Sequence, residues 1–191
     1  NPAATQLDAI RAVPDAVQFG YALYLLYSVL IAPAMIVVAA RVFGTLNRPL
    51  AQIVVALAAI SALARCIGIL RWLTVMPALA ISHASADAPG KLTIERIFDA
   101  VNSFGGGIGE LLGVSLFMGV AVLLVSVSAW QSKAIPRLIS ALGVVSALAL
   151  LGLFLPVIGV AMIKVPVAAA VTILTIWMLA FGGWMLIRKG D

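Results

Sequence analysis

One cysteine and one histidine are all that these 191 residues hold of two side chains that commonly ligate metals or serve in nucleophilic catalysis. With Cys66 alone, no disulfide can close within the chain. Cys66 lies in an apolar run beside Arg65 and reads as a small packing side chain. With His83 alone, a haem held between two histidines is excluded within the chain, although a methionine could supply one axial ligand. One cysteine, one histidine and scattered acids assemble neither a zinc site nor a Ser-His-Asp triad. His83 reads as a solvated loop residue within reach of Asp87 if the segment is helical. Charge is also scarce, at 10% of residues. No run of Lys and Arg offers a surface for nucleic acid, and no lysine inside an apolar run offers a retinal Schiff base. No cofactor, no metal site and no enzymatic activity are expected.

What the chain does have is hydrocarbon. Hydrophobic residues make up 64% of it, and the mean hydropathy is +1.19. That is far from a water-soluble domain and points to an all-α, polytopic transmembrane bundle forming a single domain. About 20 apolar helical residues cross the hydrocarbon of a bilayer. Five such spans can be placed, at about 19–42, 50–76, 104–129, 138–159 and 165–187. Pro33 is expected to kink the first. The second apolar run continues to residue 81, so it must tilt, kink at Pro77 or end in an interfacial turn. Pro89-Gly90 reads as a turn. Leu92, Ile94, Ile97, Phe98 and Val101 recur at helical spacing and predict a separate amphipathic surface helix over 92–102. Asn102 is placed to cap the third span. Trp72, Trp130 and Trp184 read as interfacial anchors, whereas Trp177 lies deeper and reads as packing. The first twenty residues are mixed and do not resemble a signal peptide. The chain opens on Asn1 rather than Met, and an additional segment is expected to precede it.

Alternating the loops of five spans collects Arg41, Arg48, Lys133, Arg137, Arg188 and Lys189 on one side, with Asp191. The other side collects Arg11, Lys91, Arg96 and Lys164, with five acids. The excess of basic residues places the first side, and the C-terminus, in the cytoplasm. A multi-pass protein of the bacterial inner membrane is expected, with the 82–103 segment on the outer side.

Three charges remain inside or at the edge of apolar runs: Arg65, Arg71 and Glu110. Each costs roughly 2.5–3.5 kcal/mol at mid-bilayer unless it finds a partner or a polar cavity. Arg71-Trp72 reads as an interfacial pair, with the arginine snorkelling to headgroups. Arg65 lies roughly 10 Å below that interface and Glu110 roughly 9 Å below it on the next span, which predicts an Arg65–Glu110 ion pair, with Arg71 as the alternative partner. Gly105, Gly109 and Gly113 recur every fourth residue beside Glu110, so one face of that helix is bare and another helix can come close.

Two segments together carry a family resemblance. Leu70-Arg71-Trp72 followed by Pro77 and Leu79-Ala80, then Asn102, Gly105, Gly109-Glu110, Leu112 and Gly113, resemble the bacterial membrane family filed as domain of unknown function 4386. The resemblance runs from about Phe19 to the C-terminus. It implies a helical membrane architecture, a family helix ahead of Asn1 that would bring six spans to the complete protein, and a place for Glu110 among the important residues. It implies no activity.

Two functions are compatible with these residues. One is a structural or accessory subunit of a membrane complex, its partners being lipid and other membrane subunits. The other is a carrier or binder of a small hydrophobic ligand, with an outer-facing polar cavity at Arg65, Arg71 and Glu110. A third, weaker one makes Glu110 a general acid or base, but no second catalytic group accompanies it.

Overall fold

The computed structural model describes residues 2–44, 47–160 and 166–188. Among these residues there is no strand. The helices are α1 (Pro2–Ala12), α2 (Pro14–Phe43), α3 (Arg48–Leu73), α4 (Val75–Ser85), α5 (Ala88–Gly106), a π-helical segment (Gly107–Met118), α6 (Gly119–Ser132), α7 (Arg137–Gly152) and α8 (Val167–Ile187). Four stretches are long and apolar enough to cross a membrane: Pro14–Phe43, Arg48–Ser85, Ala88–Ser132 and Val167–Ile187. α7 is a shorter apolar helix. The fifth span was expected to open at Val165, which lies with Lys164 outside the described residues, as do Lys189, Gly190 and Asp191.

Proline sets where two helices stop. The ring of a proline collides with the carbonyl four residues earlier and supplies no N–H to it. Four residues before Pro77 is Leu73, the last residue of α3. Four residues before Pro156 is Gly152, the last of α7. The fourth span, expected over 138–159, is therefore an α-helix only as far as Gly152, followed by a 3-10 turn over Leu155–Ile158. Pro33 does not interrupt α2, which runs through it for 30 residues.

Capping sets where others begin. The Asn47 side chain accepts from Leu50 N at 3.4 Å at the start of α3. Asp87 accepts from Gly90 N at 2.9 Å and opens α5. Pro89-Gly90 is thus not a turn between elements but the first turn of a helix, where a missing N–H costs nothing. From there the rod continues for 45 residues to Ser132. The surface helix over 92–102 and the third span over 104–129 are one element, and Asn102 lies in its interior rather than at a cap. The amphipathic pattern of 92–102 is real: Ile94, Phe98 and Val101 pack in a small core with neighbouring helices, whereas Leu92 and Ile97 stay exposed.

Two apolar cores result. The larger joins α2, α3, the π segment, α6, α7 and α8 around Met35, Met118, Leu174 and the fully buried Trp177. The smaller lies at one end, where Leu7 and Ile10 of α1 meet Met76 and Ala80 of α4 and Phe98 of α5. The outward faces stay apolar: Phe19, Leu63 and Leu179 are all exposed. That is the surface a hydrocarbon solvent requires and water penalises.

Candidate functional site: a cavity between α2, α3, the π segment and α8

The rod packs against α3 with almost no space between backbones. A Cβ built on Gly68 would stand 2.8 Å from Gly105 O and 2.8 Å from Gly109 Cα, and one on Gly113 would stand 2.8 Å from Arg65 Cγ. The bare face of Gly105, Gly109 and Gly113 is therefore occupied by α3. Along the same seam, Ser61 Oγ donates to Gly113 O at 2.7 Å. The backbone over Gly107–Met118 is π-helical for 12 residues. Most π-helical stretches last a single turn and are frequent at functional sites. Glu110 sits in the opening turn of this one.

The Gly68–Gly109 contact fixes the register and decides which charge meets which. Arg65 lies beside Gly113, and Arg71 beside Gly105. Glu110 accordingly faces Arg71, with Arg71 Nη2 3.9 Å from Glu110 Oε1. The Arg65–Glu110 pair expected from depth counting does not form. Counting residues from an interface ignores azimuth, and the two arginines, six residues apart, leave α3 in different directions. Arg71 is held by shorter contacts: Nε donates to Asn102 Oδ1 at 3.2 Å and Nη1 to Gly68 O at 2.6 Å. Its side chain is 11% exposed against 47% for Glu110.

Arg65 is 1% exposed, and none of its three guanidinium nitrogens has a hydrogen-bond partner among the described residues. Two tyrosine rings of α2 lie against it instead. The guanidinium carbon is 4.9 Å from the Tyr27 ring centre and 5.8 Å from that of Tyr24. Cation–π contacts of this kind each contribute about 0.5–2 kcal/mol. They do not satisfy five N–H donors.

Arg65, Arg71, Asn102 and Glu110 all line one cavity of about 570 Å³. Tyr21 and Tyr24 close it on the α2 side, and Val167, Val171 and Thr172 form its α8 wall. The last residues of α7 lie opposite Gly119, where a Cβ would meet Leu150 and Leu151. Farther along the rod, toward Val114 and Glu110, α7 supplies no wall to the cavity and the first turns of α8 stand across the gap.

A family model described as a domain of unknown function (DUF4386) matches residues 1–189. The chain belongs to that family. The match takes in α1 as well as the segments that carried the resemblance. No curated protein and no solved structure matches the chain. The DUF4386 architecture is thus seen here as a helical bundle with a charged cavity at one end and a small helical cap beside it.

The remaining site residues of this DUF4386 chain separate by end. Trp72 stacks on Tyr21, with ring centres 4.8 Å apart, and meets Phe98 edge-on at 6.4 Å. It joins the cap to the cavity wall, and the Arg71 guanidinium carbon lies 5.6 Å from its ring centre. Trp130 and Trp184 are at the other end, near Arg137 at 6.0 Å and near Arg41 and Arg188 at 5.3 and 5.5 Å. His83 is not a solvated loop residue: it is buried, 3.1 Å from Glu95 Oε1 across the α4–α5 pair, rather than beside Asp87, which caps a helix.

The tyrosines are the side chains that motif reading passed over. All three of the chain's tyrosines fall at 21, 24 and 27, three residues apart on one side of α2. That clustering was a signal available in the sequence.

Proposed function

We propose that this chain is an integral protein of a bacterial inner membrane that binds or carries a small ligand in a cavity within its outer half. The observation that carries this reading is the convergence of Arg65, Arg71, Asn102 and Glu110, dispersed over 46 positions of sequence, on one cavity of about 570 Å³. Small-molecule sites are typically about 300–1,000 Å³, mainly apolar, with a few convergent polar groups. Ionisable residues at membrane depth mark such sites by default. An accessory subunit, needing only helix packing, has no use for an open charged cavity. The binding reading is therefore preferred to the subunit one, and no catalytic role is assigned to Glu110. In this reading α1, α4 and the start of α5 lie on the outer side, and Trp130, Trp184 and the C-terminus lie toward the cytoplasm.

Thiol labelling tests access and orientation together. In a Cys66→Ser background, Thr172→Cys places a thiol on the cavity wall and Ser132→Cys places one at the opposite end. A membrane-impermeant maleimide added to intact spheroplasts should label the first and reach the second only after permeabilisation. Labelling of Ser132→Cys from outside, or none of Thr172→Cys under either condition, would overturn the reading.

A further inference from the structure

Arg65 is the one buried group whose charge the bundle leaves unanswered among the described residues. Arg71 has Asn102, the Gly68 carbonyl and Glu110. Arg65 has two ring faces and no acceptor, although it lines the cavity. A guanidinium kept only for structure is normally saturated, because an unpaired buried charge is strongly destabilising. Among the described residues that line the cavity, two arginines against one glutamate leave one positive charge. The α8 lining is mainly apolar, with Val167, Ala168 and Val171 beside Thr172.

We infer that the ligand is a singly charged anionic amphiphile, its acidic head bound to the Arg65 guanidinium and its apolar body lying along the α8 wall. This rests on the ligand-binding reading and adds its chemical class. A planar guanidinium fork matches a carboxylate or phosphate bidentately. The Tyr24 and Tyr27 rings pack against the guanidinium without competing for its donors. One anion would neutralise the cavity, whereas a cation would meet two arginines. The head could belong to a free fatty acid or to a lipid phosphate, and both present the same acidic oxygens to the fork.

Four probes of equal chain length separate the possibilities: tetradecanoate, methyl tetradecyl phosphate, tetradecanol and tetradecyltrimethylammonium. Each is added to the purified chain in a neutral maltoside detergent, and binding is read by thermal midpoint and by native mass spectrometry. One or both anions should raise the midpoint by several degrees and appear as a one-to-one adduct, and their ranking tells a fatty acid from a phosphate headgroup. Arg65→Met should weaken that binding at least tenfold while leaving the unliganded midpoint unchanged or higher, since it removes an unpaired buried charge. Arg65→Lys, which keeps the charge without the fork, provides the same reading should the methionine variant not fold, again with at least tenfold weaker binding. Equal binding of the alcohol or the ammonium, or anion binding indifferent to both substitutions, would overturn the ligand class and leave a ligand-binding protein standing. Failure of all four probes to bind would count against both.

Discussion

At the scale of single residues, Arg71 illustrates how a charge is held inside an apolar bundle. Its two hydrogen bonds, to Asn102 at 3.2 Å and to Gly68 O at 2.6 Å, are shorter than its 3.9 Å approach to Glu110. Asn102→Ala leaves a largely buried guanidinium nitrogen without its acceptor, and a loss of about 1–3 kcal/mol is expected. Glu110→Gln removes a half-exposed carboxylate from a long pairing and should cost less than about 1 kcal/mol. Denaturant or thermal unfolding in detergent checks the order. If Glu110→Gln is the more damaging, the carboxylate rather than the amide positions Arg71. Residue identity was largely legible in the sequence, because an ionisable group in an apolar run is conspicuous. Partner identity was not. Depth along a helix follows from counting, whereas azimuth follows from which faces pack, and here that was settled by Gly68 against Gly109. The same blindness hid His83, whose surroundings come from a helix twelve positions away in sequence.

At the scale of elements, the seam between α3 and the π segment is where sequence and architecture agree most closely. A glycine every fourth residue announced a close approach, and the helix that makes it is α3. Gly68→Ala would force a methyl to within 2.8 Å of two backbone atoms of the facing rod, Gly105 O and Gly109 Cα. Backbone cannot swing aside as a flexible side chain can, so about 1–3 kcal/mol of destabilisation is expected. Gly20→Ala is the matched control: nothing lies within 4 Å of its Cβ position in the interior of α2. Relief of backbone entropy should there stabilise the protein by about 0.5–1 kcal/mol. A pair of unfolding curves decides, and equal effects would mean that the seam is looser than its distances indicate. Two features of the elements were beyond pattern reading. The 45-residue rod was hidden because its first turns look like a surface helix and Pro89-Gly90 looks like a stop. The π-helical geometry over Gly107–Met118 leaves no period of its own in the sequence.

At the scale of the whole molecule, the chain is a large bundle with a small cap, and the two have separate apolar cores bridged by Trp72. α1 was not anticipated because its three buried residues, Ala3, Leu7 and Ile10, are spread among polar ones. Leu7→Asp puts a carboxylate into the smaller core and should release α1 without unfolding the rest. Limited proteolysis in detergent would then show new cleavage before Pro14 and an intact fragment spanning the bundle. A global loss of protease resistance would mean that the cap and bundle fold as one unit.

The shortness of α7 has a bearing on the bilayer itself. Its 16 residues rise about 24 Å, against roughly 30 Å of hydrocarbon. Beyond it the apolar chain continues only as the 3-10 turn over Leu155–Ile158. Where a helix falls short, lipid must thin or polar groups and water must come inward to meet it. α-Helical length is therefore uneven within the bundle, with 16 residues in α7 against 30 in α2 and 26 in α3. Pro156, four residues beyond the end of α7 at Gly152, thereby sets how far that helix reaches across a bilayer.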